Sequence, residues 1–119
     1  MTIIKGDAGG IVFRGSIGNS SLYTFGITPQ GEFEFVVFRG SGPGKLLLVG
    51  PGSTIKTQPG QTNLLTVVAR GNHFYLYINK QYVDSVRDST LSAGAIGVFA
   101  ATGKHSTEAA FSNIQVWKL

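Results

Sequence analysis

The chain has no cysteine among its 119 residues, so disulfides, thiolate metal sites and cysteine nucleophiles are all excluded. Charge is scarce as well. Asp, Glu, Lys and Arg make up 13% of the chain, against about 25% in ordinary soluble domains. Only six residues are acidic: Asp7, Glu32, Glu34, Asp84, Asp88 and Glu108. That shortage limits both carboxylate catalysis and oxygen-ligated metal sites. No run approaches the ~20 apolar residues of a membrane-spanning helix, and Met1-Thr2-Ile3-Ile4 is too short for the apolar core of a signal peptide. Membrane insertion is therefore not expected, and no signal peptide is visible.

The ten basic residues leave a net charge of +4, but they are scattered: Lys5, Arg14, Arg39, Lys45, Lys56, Arg70, Lys80, Arg87, Lys104 and Lys118. Nucleic-acid binders gather such charge into a patch or stripe, so no nucleic-acid partner is expected. What the chain does have is apolar residues (42%) and 17 glycines without a collagen-like period. Together they describe one domain over 1–119 built from short strands and many turns.

No segment carries a helical period. Alternating apolar runs predict strands at 1–5, 10–15, 22–28, 32–39, 45–49, 63–70, 73–79, 81–86, 95–101 and 108–117. Turn signals separate them at Gly6-Asp7, Gly18-Asn19, Pro29-Gln30-Gly31, Gly42-Pro43-Gly44, Pro51-Gly52, Pro59-Gly60 and Ala93-Gly94. About ten short strands and no substantial helix predict an all-β, antiparallel β-sandwich of jelly-roll type. The clearest stretch is 63–86, where Gly71-Asn72 and Asn79-Lys80 are two-residue connections of the kind that close antiparallel hairpins. Residues 40–62 read as a Gly/Pro-rich loop around a short edge strand at Leu46-Leu47-Leu48-Val49.

Parity assigns faces. Phe74, Leu76 and Ile78 share one side of their strand and His73, Tyr75 and Tyr77 the other. Strand 63–70 is apolar on both sides, which predicts a central strand covered on both faces. The expected core is Ile11, Phe13, Tyr23, Phe25, Ile27, Phe33, Phe35, Leu65, Val67, Phe74, Leu76, Ile78, Val83, Ile96, Val98, Phe111, Ile114 and Val116. Phe111 differs in parity from Ile114 and Val116, so a bulge is expected near Ser112-Asn113.

Three pieces carry a resemblance. They are Gly9-Gly10-Ile11-Val12-Phe13-Arg14, the hairpin Leu64 to Val83, and Ser92-Ala93-Gly94-Ala95-Ile96-Gly97-Val98 followed by Phe111-Ser112-Asn113-Ile114-Gln115-Val116. In this order the chain resembles laminin-G-like domains, members of the concanavalin A-like lectin/glucanase jelly rolls. The resemblance implies a lectin-like binding module and favours an extracellular or cell-surface setting. Lys80 stands where that family has Gly in the hairpin turn, and type I′ turns need positive φ at both central residues; the turn is either of another type or strained. The family's leading strands are also missing, which reads as a shortened form or a fragment of a larger protein. The N-terminal strand 1–5, apolar at Ile3 and Ile4 and without Pro or an obvious bulge, would then be an edge filled by a second copy of the chain. A homo-oligomer or self-assembling β-subunit is the alternative reading.

Candidate sites follow. Glu32 and Glu34 alternate as glucanase carboxylates do, but Val36 replaces the third, and a solvated strand face with Phe33 and Phe35 inward is favoured; no enzyme is expected. Calcium has its best single ligand in Asp7, with Asp84 and Asp88 sharing a loop as a second arrangement; an Asp in a Gly-rich turn more commonly bonds its own backbone, and no cofactor is otherwise expected. His73 and His105 have no partners at metal-ligand spacing. The sequon Asn19-Ser20-Ser21 matters only in a eukaryotic secretory setting. The most attractive ligand surface is the stripe His73, Tyr75 and Tyr77, flanked by Arg70 and Asn79. Flat rings stack on sugar faces while polar edges bond hydroxyls, so a glycan or cell-surface polysaccharide is the expected partner. Covering a second sheet face or a subunit interface is the commoner use of such tyrosines.

Overall fold

A computed structural model describes residues 2–5, 8–16, 18, 20–40, 42–58, 61–92, 94–101 and 108–110; for 2–5, 8, 95–101 and 108–110 it describes the backbone alone. In chain order the strands are β1 (Thr2–Lys5), β2 (Ala8–Ser16), β3 (Ser21–Ile27), β4 (Glu32–Phe38), β5 (Lys45–Pro51), β6 (Leu65–Arg70), β7 (His73–Ile78), β8 (Gln81–Arg87), β9 (Ala95–Ala101) and β10 (Glu108–Ala110). All pairings are antiparallel. Side chains are described for seven of these strands, in sheets ordered β5-β4-β3-β2 and β6-β7-β8. β9 extends the larger sheet beside β2, and β1 pairs with β10. The architecture is an all-β sandwich. No helix among the described residues is long and apolar enough to cross a membrane.

Four aromatic rings join the two sheets. Phe74 of β7 lies 5.6 Å from Phe13, 4.9 Å from Tyr23 and 5.5 Å from Phe35, ring centre to ring centre. Tyr23 stacks on both Phe13 and Phe35 at 5.3 and 5.5 Å. Around this joint Phe25, Ile27, Phe33, Leu76 and Ile78 are buried, as parity requires. Each such side chain contributes about 1.5–3 kcal/mol by leaving water. Two further core residues escape the expected core. Val37 continues the inward parity of Phe33 and Phe35, and Ile55 reaches the core from the connection between β5 and β6. Phe111, Ile114, Val116 and the expected bulge at Ser112-Asn113 lie outside the described residues, as do the side chains of Ile96 and Val98.

A bulge in β2 closes one end of the joint. The register shifts after Phe13, and Arg14 takes φ 50°. Simple alternation would turn Arg14 away from Phe13's side; instead its guanidinium lies 4.8 Å over the Phe74 ring and Nη1 donates to the Leu91 carbonyl at 3.1 Å. Gly94 passes so close that a Cβ there would meet the Arg14 carbonyl carbon at 2.5 Å, at a φ of +152°. Beside it the Tyr23 hydroxyl donates to Asp88 Oδ1 at 2.6 Å and accepts from the Leu91 N–H at 3.2 Å. Burial above all, and then the Asp88 hydrogen bond, push the Tyr23 phenol up. Burial works to raise Asp88 too, but hydrogen bonds from Tyr23 and Thr90 prevail and hold its carboxyl below the usual range.

The expectation of a central β6 is not met among the described residues: half-buried along most of its length, it pairs with β7 alone, and β7 is the middle strand of their sheet. The N-terminal strand finds its partner within the chain, with Thr2 opposite Ala110 and Ile3 opposite Ala109, and its register shifts between Ile3 and Lys5. The shift marks an irregularity in the strand, and one of its two edges is filled within the chain.

The hairpin turns are of two types. Gly71 takes φ +59° ahead of Asn72, with Arg70 opposite His73, the pattern of a type II′ turn. At the next turn both Asn79 (φ 52°) and Lys80 (φ 67°) are left-handed, and Ile78 faces Gln81. This is the strained type I′ form. Asn79 compensates: its Nδ2 donates to the Thr54 carbonyl at 2.7 Å and to Asn63 Oδ1 at 3.0 Å, and its Oδ1 accepts from the Leu64 N–H at 2.9 Å.

Among the described residues Lys80 makes no comparable contact, so Lys80→Gly should relieve strain of about 1 kcal/mol and raise the thermal midpoint by roughly 4 °C, as calorimetry would show. The Tyr23–Asp88 pair sets a pH window. Asp88, with its folded pKa depressed from 3.8, contributes stability present above that value and lost as pH falls through the folded pKa. Tyr23, raised above 10.0, contributes stability present below that value and lost as pH rises through its folded pKa. Asp88→Asn should therefore cost no more than about 1 kcal/mol at neutral pH and flatten the acid limb of a midpoint-versus-pH curve. An unchanged acid limb would show that Asp88 is not the group responsible.

Candidate functional site

The outward face of β6-β7-β8 is a grid that register alone can write. Arg70, His73 and Arg87 form the first row, Val68, Tyr75 and Ser85 the second, and Thr66, Tyr77 and Tyr82 the third. Strands lie about 4.8 Å apart and alternate residues about 6.7 Å along each strand, so the grid spans roughly 10 by 13 Å. Each β7 member is half-buried, flanked on the inward side by the fully buried Phe74, Leu76 and Ile78. The stripe His73, Tyr75 and Tyr77 therefore stands on rigid, core-anchored backbone.

The rings are organised in pairs. His73 and Tyr75 lie 4.1 Å apart, tilted by 31°, with 2.9 Å between the Tyr75 hydroxyl and His73 Nδ1. If the hydroxyl donates, the ring proton sits on Nε2 and points a donor outward. If Nδ1–H donates, the tyrosine hydroxyl keeps its own proton for an outside acceptor. Either tautomer offers one donor to a ligand. Tyr77 meets Tyr82 edge-on at 5.8 Å. Tyr82 is 56% exposed, and sequence reasoning overlooked it. Hairpin arithmetic held the signal, because a two-residue turn after Ile78 puts Tyr82 directly across from Tyr77.

The other expected site residues separate. Arg70 is exposed at the end of β6 and belongs to the face. Asn79 does not: its amide is taken up by Thr54, Asn63 and Leu64, so it holds the hairpin against the preceding loop. Asp7 lies outside the described residues, as does His105. Asp84 and Asp88 do not share a loop. Asp84 is in β8 opposite Leu76, on the other side of the sheet, with Oδ1 accepting from the Ser85 N–H, and the Asp88 carboxylate is engaged by Tyr23. No group of three or more His, Asp or Glu side chains able to hold a metal ion occurs among the described residues. Glu32 and Glu34 are exposed on the larger sheet while Phe33 and Phe35 are buried at 3% and 0%, the solvated strand face.

Chemically, the grid offers stacking surfaces, five hydroxyls and three nitrogen-bearing side chains. It carries no carboxylate, since the described acidic side chains all lie elsewhere. Such a face can bind and orient; it has no acid–base pair of the kind that cleaves glycosidic bonds.

The sequence matches no family model and no curated protein. Among solved structures it is similar to the carbohydrate-binding module CBM66 from Bacillus subtilis, with a TM-score of 0.71 and 23% identity over 82% of this chain. The chain spans 60% of that module's length. The neighbour is a carbohydrate-binding module rather than a laminin-G-like domain, and at this identity the likeness speaks for the fold alone: an antiparallel β-sandwich.

Proposed function

We propose that the protein is a non-catalytic carbohydrate-binding module that takes a glycan or cell-surface polysaccharide on the outward face of β6-β7-β8. The observation that carries this reading is the grid itself: Tyr75, Tyr77 and Tyr82 beside hydroxyl and guanidinium donors, on strands anchored by a buried face. Apolar sugar faces lie on tyrosine rings while hydroxyls meet Thr66, Ser85, the Tyr75–His73 pair and Arg70. The similarity of fold to a solved carbohydrate-binding module supports it. The jelly-roll order of strands belongs to the same proposal, because that module and its class share a lectin-like sandwich. Affinity comes from a preformed surface, so little is lost to ordering on binding.

Pull-down with insoluble cell-wall polysaccharides and a glycan array test the reading directly. Tyr75→Ala with Tyr77→Ala should weaken retention about tenfold or more and leave the fold intact, because both positions face outward. If no saccharide is retained, or if the double variant binds as tightly as the parent, the face is a packing surface and the proposal fails.

A further inference from the structure

Basic residues scattered along the sequence meet on this face. Arg70, His73 and Arg87 come from three strands, yet register sets them side by side in one row. Arg70 and Arg87 are exposed, and among the described residues neither has an ion-pair partner. Asp88 follows Arg87 in the chain, but its carboxylate is turned inward to the Tyr23 hydroxyl and the Thr90 N–H, so it does not neutralise the row. The remaining six grid positions carry no charge. The face is thus positive at one end and aromatic and hydroxyl-rich at the other.

Resting on the carbohydrate-binding reading, we infer that the ligand is an anionic saccharide, with a carboxylate or sulfate seated on the Arg70–His73–Arg87 row and the adjoining sugar over Tyr75, Tyr77 and Tyr82. Two arginines on strands whose backbones lie about 10 Å apart can converge on an anion from both sides, each with a fork of donors suited to carboxylate or sulfate oxygens. Between them the His73–Tyr75 pair supplies a further donor. Two unpaired arginines facing one histidine repel one another weakly when solvated, since charge is screened over about 8 Å; an anion turns that repulsion into attraction. A single-stranded nucleic acid fits less well. Its backbone needs a track of positive charge along the groove, whereas here the charge forms one transverse row and the second ring pair is set edge-on.

The experiment compares four probes by calorimetry or affinity electrophoresis on the intact chain: an oligogalacturonate, dextran sulfate, neutral dextran, and a single-stranded DNA oligonucleotide. Binding to the oligogalacturonate, to dextran sulfate or to both, weakening with added salt, supports the inference, and the stronger probe tells carboxylate from sulfate. Arg70→Gln with Arg87→Gln should reduce that binding on the order of tenfold, with an unchanged thermal midpoint as the check on folding. Neutral dextran or another neutral polysaccharide held as tightly as the charged probes, and equally by the double variant, overturns the inference and leaves the carbohydrate-binding reading standing. DNA bound as tightly as the charged saccharides overturns it in favour of a general polyanion surface. Failure of every saccharide, charged or neutral, overturns both.

Discussion

Phe74 is the residue on which the rest of the molecule depends. It is fully buried on the middle strand of the smaller sheet and touches Phe13, Tyr23 and Phe35 of the larger one. Those contacts fix the separation and orientation of the two sheets. Removing such a ring costs about 3–5 kcal/mol, a large share of the 5–15 kcal/mol that holds a domain together. Arg14 closes the open side of the ring and ties the β2 bulge to Leu91, and Tyr23 links the same joint to Asp88. Polar groups at the edge of the core are thus satisfied by one another, which is what burial demands of them.

The outward face of β6-β7-β8 inherits its rigidity from this joint. Every residue of the β7 stripe alternates with a fully buried neighbour, so His73, Tyr75 and Tyr77 cannot shift without disturbing Phe74, Leu76 or Ile78. The far end of the hairpin is held by Asn79 and Asn63, which bond the loop through Thr54, Lys56 and Leu64. Asn63 is buried and bonds the Lys56 backbone through both its oxygen and its nitrogen, a local closure that lets an irregular connection cross the sheet end without orphaned polar groups. Thr54 adds a hydroxyl to the Ile78 carbonyl.

Much of this was legible from residues alone where local pattern and tertiary environment agree. Period-two alternation identified Phe74, Leu76 and Ile78 as inward and the His73–Tyr77 stripe as outward, because a strand with one buried face can satisfy only one parity. Ile55 was not legible: it lies in a segment with no period, and only the packing of a loop over the sheet end buries it. The hydrogen bonds of Asn79 were not legible for a related reason. A polar residue at a turn looks available in one dimension, and its partners Thr54 and Asn63 are brought to it only by the fold.

The sequence by itself determined the all-β class, the two hairpin turns, the inward aromatic rows and the tyrosine stripe, since each rests on chemistry between near neighbours. The tertiary structure decided where the charge goes. A two-residue turn after Ile78 would place Val86 across from His73, but Val83 is one residue too many for the ladder, and beyond it the register moves by one. That shift points Val86 at Phe74 in the core and Arg87 outward beside His73. Hairpin arithmetic predicts neither outcome. The bulge is set by the need to bury Val83 and Val86 together against the other sheet, and the row of Arg70, His73 and Arg87 follows from that packing.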